Sequence, residues 1–329
     1  MNNTLQQVFE NFTQTHVLIV GDVMLDTYWW GDTNRISPEA PVPVVDIAKT
    51  EHRLGGAANV ALNTVSLGAK TSVCSLVGND DNAFILKKLL QENNITTSFI
   101  AESNSRKTTQ KNRVMSRNHQ LLRFDVEHKE DLNDAELIVF QKAVDAAFNE
   151  KPNIIILQDY NKGVLTEKSI IYILDKAQQL NIPVAVDPKL NNFSAYKNVA
   201  LFKPNLKETK EALHISIDKS KPEEIHHATD VLQQHLNAEN ILITLSEYGA
   251  AGRSKNKSFI FPAHERNIAD VSGAGDTVIA VAALCISQQL NFELTAQLAN
   301  IAGGLVCEAA GVTPIDKFKL QQQATLLLQ

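Results

Sequence analysis

Short apolar runs rich in β-branched residues alternate along this chain with longer segments of helical period. His16-Val-Leu-Ile-Val-Gly21 predicts a first strand, Ala57 to Leu67 a helix of small residues, Thr71 to Val77 a strand and Asp81 to Glu92 a helix. Ile154–Leu157, Val184–Val186 and Ile241–Leu245 are continuous apolar runs, the form of strands buried on both faces. Helical segments at Glu167–Leu180, Glu223–Leu236 and Val278–Gln289 alternate with them. Such alternation requires crossover connections. It predicts an α/β fold with a mainly parallel sheet covered by helices on both faces. Ligands of such sheets collect at the carboxyl ends of the strands.

Two segments break the pattern. Pro41-Val-Pro-Val-Val-Asp-Ile47 is strand-like, but its prolines are tolerable only at an edge. Thr108 to Glu127 holds two strand-like arms, Gln110–Ser116 and Gln120–Val126, around Arg117-Asn-His119. Together they read as a small β-appendage inserted between elements of the main domain, or as a surface hairpin without a role. No internal repeat, low-complexity tract or flexible linker divides residues 1–329, so a single domain is expected. The tail Asp316–Gln329 reads as a short amphipathic helix packed on it.

Composition narrows the partners. With 329 residues and 44% hydrophobic content the chain can bury a large core, as one big domain with an appendage or as two modest ones. A formal charge of −6 without a long basic run argues against general nucleic-acid binding. The clustered basic residues, Arg106-Lys107 through Lys111 and Arg113 to Arg117, suit a small anionic ligand better. Cys74, Cys285 and Cys307 lie in apolar or small-residue surroundings without metal-like spacing, as reduced core residues do. The N-terminus lacks the regions of a signal peptide, and no stretch approaches the roughly 18 apolar residues of a membrane span. A soluble, cytoplasmic protein with no membrane partner is expected.

The candidate chemistry centres on Asp270-Val-Ser-Gly-Ala-Gly-Asp-Thr277, which precedes the apolar run Val278–Leu284. A helix beginning on Gly273-Ala274-Gly275 presents unpaired N–H groups at the positive end of its dipole, which favours a phosphate-like anion. Asp276 in the same turn puts a base beside that charge. The pattern is equally that of a tight turn whose Asp complements the dipole. The dinucleotide fingerprint is excluded, because Val278 stands where its third glycine belongs, and the P-loop pattern occurs nowhere.

Other candidates sit at strand ends. Gly55-Gly56-Ala-Ala-Asn59 lets backbone approach a ligand closely, and Asn59 can donate and accept hydrogen bonds to hydroxyls, although small residues also make a close-packed helix start. Asp22 and Asp26 follow the first strand, where a carboxylate can hold sugar hydroxyls or simply occupy a turn. Asn205-Leu-Lys-Glu208 has the form of a capping box, yet at a ligand edge the pair could also orient water around Mg²⁺. Asp187-Pro-Lys189 and Asp159-Tyr-Asn-Lys162-Gly163 end apolar strands with a lysine that can attract phosphate, or with ordinary turn residues. Thr244 and Gly249 could line nucleotide phosphates or form a hairpin turn.

These residues resemble the ribokinase-like (PfkB) carbohydrate kinases. Gly55–Asn59 is similar to the first signature of that family and Asp270–Thr277 to the second. Within the family, Gly21–Asp26, Arg35–Val44, Arg113–Asn118 and Gln120–Arg123 resemble segments of the D-glycero-β-D-manno-heptose-7-phosphate kinases. The resemblance runs from about Val17 to Pro314. It implies a three-layer α/β/α domain with a small β-sheet lid formed by about residues 28–54 and 106–127. It implies ATP and Mg²⁺, and phosphoryl transfer to the anomeric hydroxyl of heptose 7-phosphate, a step toward ADP-heptose and the lipopolysaccharide core. Asp276 would take the proton, with the amides of Gly273, Ala274 and Gly275 holding charge on the transferring group. Asp26 and Asn59 would grip sugar hydroxyls. Lys111, Arg113 or Arg117, with Arg35 and Lys162 as further candidates, would bind the distal phosphate. Asn300, on the last long helix, is a candidate for the adenine pocket. Lids of this family often pair into a homodimer. Leu54, Gln158 and Lys203 depart from the pattern of the group, standing where Pro, Ser and a small hydroxyl residue are common. No H-x-G-H motif of a fused nucleotidyltransferase occurs, so only the first step is expected of this chain.

Overall fold

The computed structural model describes residues 2–328 apart from Asn118, Asn256, Glu265 and Ala310, with the side chains of residues 2–4 left aside. Helix α1 (Asn2–Asn11) leads to strand β1 (His16–Gly21), and the chain then leaves the main body as β2 (Val23–Ile36) and β3 (Pro43–Gly56). It returns through α2 (Ala57–Ser66), β4 (Lys70–Gly78), α3 (Asp81–Glu92) and β5 (Thr96–Ser103). A second excursion, β6 (Gln110–Ser116) and β7 (His119–Val126), precedes α4 (Asp134–Asn149). Then follow β8 (Ile154–Gln158), α5 (Glu167–Gln179), β9 (Val184–Asp187), β10 (Leu201–Phe202), α6 (Leu206–Leu213), α7 (Pro222–Leu236) and β11 (Asn240–Thr244). Strands β12 (Ala250–Ser254) and β13 (Lys257–Phe261) and helices α8 (Ala274–Ser287), α9 (Phe292–Val306) and α10 (Lys317–Leu327) complete the chain.

The main sheet runs β13-β12-β11-β10-β9-β8-β1-β4-β5, parallel from β11 to β5 and antiparallel at β12 and β13. Alternation along each buried strand divides the core in two. Val17 and Ile19 of β1 and Ile154 and Ile156 of β8 pack under α1, α2, α3, α8, α9 and α10. Leu18, Val20, Ile155 and Leu157 face α4, α5 and α7. All three cysteines are buried and free. No helix is long and apolar enough to cross a membrane among the described residues.

A second sheet, β3-β2-β6-β7, stands apart from the first. Its edge strand β3 starts at Pro43, so the prolines at 41 and 43 fall at or before an edge, where a missing N–H costs no ladder bond. Register partners share a face, and the two faces differ in chemistry. Asp26 pairs with Arg53 and Lys111, Tyr28 with Arg113, and Arg113 with Arg123, which makes one face charged. Trp29 pairs with Val114, Val114 with Leu122, and Asn112 with Phe124, which makes the opposite face largely apolar.

Candidate active site

Four strand ends and one helix start converge. Gly21, Gln158 and Asp187 are register neighbours at the carboxyl edge of β1, β8 and β9, and Lys203 follows β10. Helix α8 begins above them. Gly273 caps it at φ +84°, a left-handed conformation that glycine adopts without a Cβ penalty. Thr277 makes the first bond back, its N–H donating to the Gly273 carbonyl. The Ala274 amide is turned to the Val271 carbonyl at 3.3 Å. The amides of Gly275 and Asp276 are left without an acceptor among the described residues, which makes this turn a cradle for an anion.

Asp276 is buried, and both its oxygens are fixed. Asn59 Nδ2 donates to Oδ2 at 2.7 Å, and the Tyr160 hydroxyl donates to Oδ1 at 2.8 Å. Gln158 Nε2 reaches Oδ1 at 3.3 Å and Asp187 Oδ2 at 3.2 Å. Burial pushes the Asp276 carboxyl up to about 6; the Asn59 bond opposes this and the Asp187 carboxylate adds to it. A carboxyl poised there is ionised at neutral pH and basic enough to accept a proton, which suits a general base. Asn59 is placed by the first turn of α2, whose N-cap is Gly56. A further bond from Thr277 Oγ1 to Asn63 Oδ1 ties α2 to α8.

Tyr160, which the sequence shows only within a strand-end turn, and Gln158, which it shows only as a departure from the pattern of the group, are thus in contact with the central carboxylate. The Tyr160 ring also lies 5.3 Å from Lys111 Nζ and 5.5 Å from Lys189 Nζ. Burial, with the nearby Asp276 carboxylate, holds the Tyr160 phenol well above its usual range, so it stays a donor. Lys203 Nζ pairs with Asp187 Oδ2 at 3.0 Å, both side chains buried, and lies 3.7 Å from where a Cβ on Gly275 would stand. Lys189 pairs with Glu208.

Asp22 has a different task from the one expected. Its carboxylate accepts the N–H groups of Tyr160 at 2.8 Å, Lys162 at 3.1 Å and Val164 at 3.2 Å, and it is sealed from solvent. It anchors the loop that carries Tyr160, with three of its roughly four lone-pair sites taken by amides there. Asp26 does face the cleft from the second sheet, where Arg113 Nη1 donates to Oδ1 at 2.6 Å. A Cβ on Gly55 would collide with Asp26 Oδ2 and Met24 Cγ, so glycine here leaves the Asp26 side chain its place. Lys162 pairs with Glu127 at 2.7 Å, a link between this loop and the end of β7. Arg117, at φ +54°, occupies the exposed turn between β6 and β7, and Arg35 the exposed end of β2. The structure brings neither of them to Asp276. Asn118, beside Arg117, lies outside the described residues.

On the other side, Asn205 bridges to Thr244 across the strand ends. Asn205 and Glu208 form a complete capping box, and Lys189 takes the second Glu208 oxygen. Each Glu208 oxygen therefore already accepts a donor from the protein. Among the described residues, no three His, Cys, Asp or Glu side chains gather around a metal position. The donor set fits Mg²⁺ only as an ion carried on nucleotide phosphates and contacted through water. Gly249 closes the turn from β11 into antiparallel β12. Asn300 of α9 donates to the Pro262 carbonyl at 2.9 Å, which fixes the loop after β13.

Comparison with known proteins gives the family and the fold. The family model described as "pfkB family carbohydrate kinase" covers residues 14–317. A curated protein of Campylobacter curvus named "Bifunctional protein HldE" is 40% identical over 299 residues, covering 91% of this chain and 62% of its own length. This chain spans 62–65% of the length of the curated relatives of that name. Escherichia coli phosphofructokinase-2 in complex with fructose-6-phosphate superposes with a TM-score of 0.79 at 19% identity, covering 96% of this chain and 100% of that one. Arabidopsis thaliana ribokinase complexed with ribose and ATP gives 0.70 at 16% identity, covering 94% and 99%. These structural likenesses show a ribokinase-like fold.

Proposed function

This chain belongs to the pfkB family of carbohydrate kinases, and we propose that it transfers the γ-phosphoryl group of ATP to the anomeric hydroxyl of D-glycero-β-D-manno-heptose 7-phosphate. The product would be the 1,7-bisphosphate, an intermediate toward ADP-heptose and the lipopolysaccharide core, formed in the cytoplasm where ATP is supplied. One observation carries the kinase reading: a buried carboxylate, Asp276, held on both oxygens beside the open amides of Gly275 and Asp276. The choice of sugar is supported by the Arg35–Val44 segment and by relatives named HldE at 36–40% identity.

In this reading the sugar hydroxyl gives its proton to Asp276 as its oxygen attacks the γ-phosphorus, and ADP leaves with the electrons of the broken P–O bond. Charge on the transferring group would collect at the α8 amides, with Lys203 close by, so that positioning and charge stabilisation supply most of the rate. Asn59 and Asp26 would hold sugar hydroxyls, with Arg113 orienting Asp26. Asn205 and Thr244 would lie along the nucleotide. Mg²⁺, brought on the nucleotide phosphates, would neutralise their charge. The second sheet would act as the lid over the sugar and pair two chains into a homodimer.

Phosphorus NMR of the full chain with ATP and heptose 7-phosphate tests the assignment. A new anomeric phosphate signal growing in step with ADP is expected. ADP formed only with another sugar or sugar phosphate from a panel would keep the kinase and replace the substrate.

A further inference from the structure

Gln158, Asp187 and Lys203 come from different strand ends, yet they meet on one atom. Asp187 Oδ2 accepts from Lys203 Nζ at 3.0 Å and from Gln158 Nε2 at 3.2 Å. Gln158 and Asp187 are register partners on β8 and β9, and the Lys203 amide continues the ladder by donating to the Val186 carbonyl at 2.8 Å. The strand order therefore sets the three side chains next to one another. The second Gln158 Nε2 hydrogen reaches Asp276 Oδ1 at 3.3 Å, so one amide nitrogen bridges two carboxylates. Gln158 is 1% exposed, and its Oε1 is buried with no partner among the described residues. Turning the amide over would give Oε1 nothing but two carboxylates to face. The orientation is forced, and it leaves an acceptor unsatisfied in order to keep the bridge.

We propose that Gln158 is a positioning residue, joining the Lys203–Asp187 ion pair to Asp276 so that the orientation and ionisation of the base depend on that pair. The inference deepens the kinase reading above and rests on it for its catalytic meaning. The groups facing Asp276 are Asn59 from α2, Tyr160 from the loop after β8, Asp187 from β9 and Lys203 after β10. Beyond them, Lys111 and Lys189 flank the Tyr160 ring, and Asp26 with Arg113 lies across the cleft. A donor to an ionised carboxylate favours the charged form. Loss of the Gln158 donor therefore raises the pH at which Asp276 becomes a base, and loss of the Lys203 cation does the same.

The test is a carbon-13 NMR titration of the aspartate carboxyls in the full chain without substrate, with the Asp276 signal assigned by its loss in Asp276→Asn. Gln158→Met keeps the volume and removes the donor; it should move the midpoint up by about 0.5–1 pH unit, and Lys203→Met should move it the same way. The acid limb of kcat/KM for the phosphosugar should follow, and the double variant should depart from the sum of the single shifts. Midpoints within about 0.2 unit of the parent in both single variants would overturn the proposal. If Gln158→Met does not fold, Gln158→Leu is titrated in its place, because Lys203 also acts on Asp276 directly and its loss alone does not report on the bridge. A shifted midpoint in a chain that phosphorylates no sugar on a panel would uphold this coupling and reject the kinase reading.

Discussion

The cations around the cleft are mostly spoken for. Arg113 is tied to Asp26, Lys162 to Glu127, Lys189 to Glu208 and Lys203 to Asp187. Lys111 makes no ion pair among the described residues and rests over the Tyr160 ring. Burial pulls its ammonium below the usual lysine range, against the pull of Asp26. A half-buried cation without a carboxylate is the group that gains most from an arriving anion, because the anion replaces the water it has lost. Lys111 is therefore the residue expected to meet the distal phosphate. Lys111→Met should raise the KM for the phosphosugar by about 10–100-fold and leave the KM for ATP near its parent value, the loss of a charge-assisted bond to phosphate. Arg117, six residues further along an extended strand and so roughly 20 Å away, should tolerate the same change. Steady-state kinetics of both variants decide it. A large effect at Arg117 with none at Lys111 would place that phosphate under the tip of the lid instead.

At the scale of elements, the start of α8 shows what a sequence displays and what it hides. Gly273, Ala274, Gly275 and Asp276 are contiguous, so an anion cradle with a carboxylate beside it is legible before any fold is known, alongside the plain turn that the same residues allow. The ties that hold Asp276 are not, because Gln158, Asp187 and Lys203 become neighbours only through the order β8-β9-β10. Asp22 misleads for a related reason. It stands at a ligand-binding strand end, but the next strand delivers a loop whose amides claim it. The β2–β3 ribbon is faint in sequence because its outer half is exposed on both faces, so apolar residues do not alternate cleanly. The helix start itself can be tested. An alanine at Gly273 must adopt φ +84° and brings a Cβ to 3.1 Å from Asn59 Nδ2. The backbone term alone costs on the order of 1 kcal/mol. Gly273→Ala should lower the melting temperature by a few degrees. It should also reduce kcat by about 10–100-fold with a smaller change in KM, because Asn59 and the amides shift relative to the transferring group. A variant that melts early and turns over normally would show that the cradle needs no such geometry.

The whole molecule is an α/β body with a second, two-faced sheet, and the second face needs an explanation that the candidate site does not give. Asp26, Tyr28, Lys111 and Arg113 turn toward Asp276, while Val114, Leu122, Phe124 and Trp29 share the reverse side. Leu122 is 57% exposed and Phe124 45%. Exposed apolar side chains on one face of a sheet this small are unfavourable in water, and pairing with an identical face removes them symmetrically. Such a pairing would also brace the lid strands that carry Lys111 and Asp26, so assembly and sugar binding should fail together. Leu122→Glu or Phe124→Glu would place like charges across such a two-fold contact, and sedimentation should show a dimer for the parent and monomers for the variants. The KM for the phosphosugar should rise by about 10-fold, while nucleotide binding to the main body stays intact. If the variants sediment like the parent, the apolar face belongs to the lid's own packing. If they dissociate without a change in sugar kinetics, the lid closes unaided, and the site is complete within one chain.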